Sequence, residues 1–111
     1  MSHKTILELK ISDLGVIDET MKQLGFTKIQ QKQYFGETCD VVYKHQQHVY
    51  PIGFTRKDGV YTMVCDSVDD SFAKKVRQEI ALTKIKNGVR ELGIPLIVRR
   101  EKGKIRCIVG D

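Results

Sequence analysis

The sequence of 111 residues has no tryptophan, two prolines and three cysteines. Each scarcity excludes something. With proline confined to Pro51 and Pro95, no Pro-rich linker divides the chain, and one domain over residues 1–111 is expected. Cys39, Cys65 and Cys107 are odd in number, widely spaced and without a CxxC pair, so they do not read as a disulfide framework. No run of ~18 apolar residues exists, so no membrane-spanning helix is expected. No apolar signal-like stretch follows Met1-Ser2-His3-Lys4, so no secretory leader is expected. Free thiols then fit a reducing, cytoplasm-like compartment. Gly-rich phosphate loops are also missing. So short a chain leaves little room for a cofactor domain beside a substrate domain, and no cofactor is expected.

What is present is enough for a packed core. A chain of this size buries roughly two-thirds of the surface it exposes when unfolded, so it needs neither metal nor disulfide to fold. Residues 4–11 alternate, with Leu7, Leu9 and Ile11 on one side and Glu8 and Lys10 on the other, which predicts a strand. Ser12 or Asp13 is placed to cap a helix in which Leu14, Ile17, Met21 and Leu24 form one apolar stripe. Gly25 fits its left-handed end. Residues 27–34 are polar and predict an exposed or edge strand, and residues 40–45 a better buried one. Residues 50–56 and 60–66 flank Lys57-Asp58-Gly59, a hairpin signal because glycine takes positive φ without steric cost. Pro51, lacking an amide donor, belongs at a strand start or an edge. A second helix covers about 70–92, capped by Asp69, Asp70 or Ser71 and ended by Gly93. A final hairpin runs from Leu96 to Arg100 and from Lys104 to Val109 around Glu101-Lys102-Gly103. The order β-α-β-β-β-β-α-β-β predicts an α+β fold, with about seven short strands in an antiparallel sheet and both helices on one face.

The second helix carries two apolar stripes. Phe72, Ala73, Val76 and Ile80 share one side; Ala81, Leu82, Ile85, Val89 and Leu92 lie on roughly the opposite side. One sheet cannot cover both along a straight helix. The helix bends near Ala81, or the second stripe meets another partner: the first helix, or a second chain in a homo-oligomer.

Charge is unevenly placed. Residues 1–70 hold eight Lys/Arg and ten Asp/Glu, net −2, and residues 71–111 hold eleven Lys/Arg and four Asp/Glu, net +7. Arg99, Arg100, Lys102, Lys104 and Arg106 crowd the final hairpin, with Lys74, Lys75 and Arg77 on the helix before it. Clustered cations attract phosphate or carboxylate by charge-assisted hydrogen bonding. The bland alternative is a solvated face whose charges block unwanted strand pairing. Phe72 is the only aromatic of the basic region, so any nucleic acid would be held through its backbone, with strong salt dependence, rather than by base stacking.

Reactive side chains give weaker signals. Cys39, His45, His48 and Cys65 are residue types that ligate zinc tetrahedrally, but their spacing brings no close pair of cysteines together. The simpler reading is a loop with two solvated histidines. A Cys–His nucleophile would need a third, orienting residue, and none is marked. No metal site and no catalysis are therefore expected.

A family resemblance runs along nearly the whole chain. It is carried by Met1-Ser2-His3, Leu24-Gly25-Phe26, Asp40-Val41-Val42, Ile52-Gly53-Phe54, Gly59-Val60-Tyr61 and Asp66, then by Phe72, Lys75-Val76, Gln78, Ala81, Gly93 and Gly103-Lys104-Ile105-Arg106. In their order and spacing these residues resemble the uncharacterised small-protein family typified by the hypothetical chloroplast reading-frame product number thirty-five. The chain departs from that pattern at Ser67–Asp70, a short bridge where the family carries a tryptophan-bearing segment, and at Val109-Gly110-Asp111, where the family ends in a basic-aromatic pair. The resemblance implies an accessory partner of ATPase-type neighbours and no catalytic residue. Together these readings predict a non-catalytic binding or adaptor protein. Its basic carboxyl-terminal face would engage an acidic protein or a ribonucleoprotein, with direct nucleic-acid binding as the alternative and a metal-binding or Cys/His enzyme as the second.

Overall fold

A computed structural model describes residues 4–47 and 50–109. The chain runs β1 (Lys4–Glu8), α1 (Leu14–Gln23), β2 (Thr27–Ile29), β3 (Gln33–Tyr34), β4 (Glu37–Thr38), β5 (Val41–Lys44), β6 (Ile52–Lys57) and β7 (Val60–Asp66). A 3-10 turn (Ser67–Asp69) leads into α2 (Asp70–Leu92), followed by β8 (Leu96–Glu101) and β9 (Lys104–Val109). The fold is α+β with antiparallel pairing throughout. The strands are divided differently from the expected seven in one sheet. Five form the main sheet in the order β1-β7-β6-β5-β2, while β3-β4 and β8-β9 are separate two-stranded ribbons.

Alternation along the central strands places Val41 and Tyr43 of β5, Ile52 and Phe54 of β6, and Tyr61, Met63 and Cys65 of β7 on one face. Val16, Ile17 and Met21 of α1 and Ala73, Val76 and Ile80 of α2 close over that face, and all of them are buried. Both helices therefore lie on one side of the sheet. They approach closely at Thr20 and Thr83, whose hydroxyls are 2.7 Å apart. Each hydroxyl also reaches the carbonyl one turn back in its own helix, Val16 at 2.8 Å and Glu79 at 3.1 Å. Tyr43 donates to Asp18 Oδ1 at 2.9 Å, tying α1 to β5. Asp18 is held below the usual carboxylate range chiefly by the hydrogen bond from Lys22, against the opposing effect of burial.

The opposite face of the sheet, at Val42, Gly53 and Val64, is buried as well. Its cover includes the segment around β3-β4. A Cβ built on Gly53 would lie 2.6 Å from Cys39 Sγ and 3.5 Å from Tyr34 Cδ2. Glu37 at the ribbon's turn reaches Lys4 at 3.4 Å and Lys57 at 3.5 Å, fastening the ribbon to β1 and β6. The polar run 27–34 is thus a three-residue edge strand followed by half of a covering ribbon, not one strand.

Local signals act as their chemistry dictates. Asp13 caps α1 by accepting from the Gly15 amide at 2.8 Å. Asp58 and Gly59 make the β6–β7 turn, both at positive φ. The amino end of α2 differs from expectation: Asp69 is its cap residue but makes no side-chain capping bond, and Asp66 accepts instead from the Val68 amide at 3.0 Å to start the 3-10 turn. β1 ends at Glu8, where Lys10 turns to positive φ. The Leu9 amide still donates to the Tyr61 carbonyl at 3.1 Å, and Tyr61 donates back to Ile11 at 2.8 Å. This bulge-like step buries both Leu9 and Ile11.

α2 is one continuous helix of 23 residues. Its first stripe packs on the sheet as expected. Its second stripe is met in part by a segment the sequence reading does not name as its cover. The β8-β9 ribbon packs along Gln78, Leu82, Ile85 and Val89, laying Leu96, Val98, Ile105 and Cys107 toward the helix. Leu82 is buried by this contact, whereas Ile85 remains 40% exposed and Leu92 73%.

Candidate binding surface

The carboxyl-terminal ribbon is built by its turn and its tether. Lys102 and Gly103 both take positive φ and close a two-residue turn between Glu101 and Lys104. Across the turn the register is Glu101↔Lys104, Arg100↔Ile105, Arg99↔Arg106, Val98↔Cys107, Ile97↔Ile108 and Leu96↔Val109. Directly opposed residues share a face. Leu96, Val98, Ile105 and Cys107 therefore face α2, while Ile97, Ile108, Arg99 and Arg106 face outward. Both terminal nitrogens of the Arg100 guanidinium donate to the Glu79 carboxylate of α2 in a two-point contact, the Nη2–Oε2 arm at 3.1 Å. This ion pair holds the Arg100 proton more tightly than usual.

The eight basic residues named from the sequence divide into four groups. Arg100 is drawn inward by Glu79, and Lys74 pairs with Asp70 one turn earlier at 3.1 Å. Arg77 lies on the other flank of α2, beside Glu8, Leu9 and Lys10. Arg99 and Arg106 stand side by side on the outer face of the ribbon, exposed and with no ion pair among the described residues. Lys75, Lys102 and Lys104 line a shallow cleft of about 250 Å³ between α2 and the ribbon turn. Sequence reasoning missed Glu79, the acid that sets the ribbon against the helix. Its partner lies 21 positions away, and no periodicity links the two.

Two like charges directly opposed across an antiparallel pair, with Cβ atoms about 5 Å apart, destabilise the pair. The ribbon carries this cost on its exposed side. An incoming carboxylate or phosphate would relieve it by accepting from both guanidinium groups. Next to the pair, Ile97 and Ile108 form an apolar step, 52% and 38% exposed. The outer face is therefore cationic and apolar in adjoining halves.

The metal-ligand candidates do not come together. Cys39 lies on the back of the sheet against Gly53, and Cys65 is in the core on the helix-covered face. His45 packs edge-on to Phe26 with ring centroids 5.1 Å apart, and its Nδ1 accepts from the Gln47 amide at 3.0 Å. His48 lies outside the described residues. No group of three metal-ligating side chains occurs among the described residues. Burial pushes the Cys65 thiol up to about 11, away from the thiolate a nucleophile needs.

No family model, curated protein or solved structure matches the chain. No helix among the described residues is long and apolar enough to cross a membrane.

The thiols give a direct check on this arrangement. Cys39 and Cys65 are buried and Cys107 is partly exposed. With a thiol-specific chromogenic reagent at pH 8, one equivalent is expected to react promptly, lost in a Cys107→Ser variant. The other two should react only in denaturant. Prompt native-state labelling of Cys39 would contradict its position beneath the β3-β4 segment.

Proposed function

We propose that this protein is a non-catalytic binding module that engages an acidic partner protein through the outer face of the β8-β9 ribbon. The observation that carries this reading is the cross-strand Arg99–Arg106 pair, exposed and unneutralised beside the apolar Ile97–Ile108 step. Lys102, Lys104 and Lys75 extend the cationic surface toward α2. A nucleic-acid backbone would satisfy the arginines but leave the isoleucines in water. A protein surface with acidic side chains next to an apolar spot satisfies both, and such a mixture of anchors is typical of protein interfaces. The resemblance drawn from the residues favours the same role, an accessory partner rather than an enzyme.

The test is capture from a native-host extract by wild type and by Arg99→Glu/Arg106→Glu, with and without nuclease. A protein retained after nuclease, and held at least about tenfold less by the double reversal, is the expected result. Retention by the reversed variant would remove the ribbon from the interface. Release by nuclease, with affinity for a plain duplex falling by orders of magnitude between ~50 and ~200 mM salt, would favour the nucleic-acid reading instead.

A further inference from the structure

A groove of about 500 Å³ runs along α2 beside the ribbon, whose edge also touches Ala81, Ile85 and Val89. Leu9 and Ile11 form one wall, and Ala81, Ile85, Gly88 and Leu92 form the other. These four helix positions are spaced four, three and four apart, the a/d repeat by which one helix packs lengthwise on another. The seam spans residues 81–92, about 17 Å of helix.

Gly88 is the odd member. Glycine in a helix interior costs roughly 0.5–1 kcal/mol relative to alanine. Nothing inside this chain requires it, because a Cβ built there meets no atom within 4 Å. A glycine that no internal contact demands, in the middle of an exposed apolar seam, leaves room for something from outside.

We infer that α2 pairs with α2 of a second copy of this chain, antiparallel, about a two-fold axis near residues 86–87. The seam is complementary to itself in that arrangement. Its order is small, large, small, large: Ala81, Ile85, Gly88, Leu92. Reversed against its own copy, Ile85 faces the partner's Gly88 and Leu92 faces the partner's Ala81, so each large side chain meets a small one. The flanking charges agree. Lys84 and Glu91 border the seam on one side and have no ion partner among the described residues. Antiparallel pairing brings Lys84 beside the partner's Glu91, twice over by symmetry. Parallel pairing would set Ile85 on Ile85 and Gly88 on Gly88, and would separate Lys84 from Glu91. The outer face of the ribbon plays no part in this contact, so the dimer and the proposed partner surface stand or fall separately.

Light scattering on the full chain at tens of micromolar tests the pairing. The expected mass is twice 12.7 kDa. Gly88→Leu fills the space that receives the partner's Ile85, yet meets nothing in its own chain. It should keep the helical circular dichroism and weaken dimerisation at least tenfold, and Ile85→Ala/Gly88→Leu should recover much of the loss. Lys84→Glu should weaken the dimer severalfold, and Lys84→Glu/Glu91→Lys should restore it. A monomeric mass at 100 μM overturns the inference. So does a dimer indifferent to Gly88→Leu, or a charge exchange that fails to restore. If Gly88→Leu does not fold, the charge pair at two exposed positions still decides.

Discussion

Phe54→Ala is expected to lower the stability of the fold by about 3–5 kcal/mol, the range for removing a large buried aromatic side chain. Phe54 is fully buried at the centre of β6, between Val41 of β5 and Met63 of β7. Its ring meets Tyr43 edge-on with centroids 5.7 Å apart. Sheet and helices enclose the site on all sides, so the cavity cannot collapse far. Urea unfolding of wild type and variant measures the effect; the midpoint should fall with little change in slope. A loss of this size is a large part of the roughly 5–15 kcal/mol that stabilises an ordinary domain. A cost under about 1 kcal/mol would show that the core is not organised around this ring.

Gly53→Ala should have the next largest effect, about 1–3 kcal/mol, for the opposite reason: there is no room. The added Cβ would sit 2.6 Å from Cys39 Sγ, and the sulfur is itself held under the chain that leads into β5. Cys39→Ala removes the obstructing atom. In the Gly53→Ala background it should cost less than in wild type, or recover stability outright, giving a favourable coupling in a double-mutant cycle. A neutral Gly53→Ala, or strictly additive effects, would mean that the β3-β4 segment does not press on the back of the sheet.

Much of this architecture is legible in the sequence where chemistry is local. Asp13 and Gly25 bracket α1, Gly93 ends α2, and the pairs Asp58-Gly59 and Lys102-Gly103 set two hairpin turns, because each needs only its immediate neighbours. The third turn was hidden. Phe35-Gly36 also takes two positive φ angles, but phenylalanine is a poor advertisement for such a turn, and the polar run before it reads as one strand. The second stripe of α2 was visible as a stripe, but not what covers it. Periodicity gives the direction of a face and nothing about which later segment folds back onto it. The same limit applies to the basic region. Counting cations found the cluster, yet only the register of β8 against β9 separates Arg99 and Arg106, which face outward, from Arg100, which Glu79 draws inward.

The attachment of the ribbon has a mechanical consequence. Two strands with both edges open are barely stable in isolation, and this pair leans on α2 without joining the five-stranded sheet. Its amides are therefore expected to exchange with solvent faster than those of β5, β6 and β7, as a lower tier of opening beneath global unfolding, which hydrogen exchange would measure. A partner that grips the arginines from outside would then be expected to slow exchange in the ribbon before it altered the melting of the body beneath.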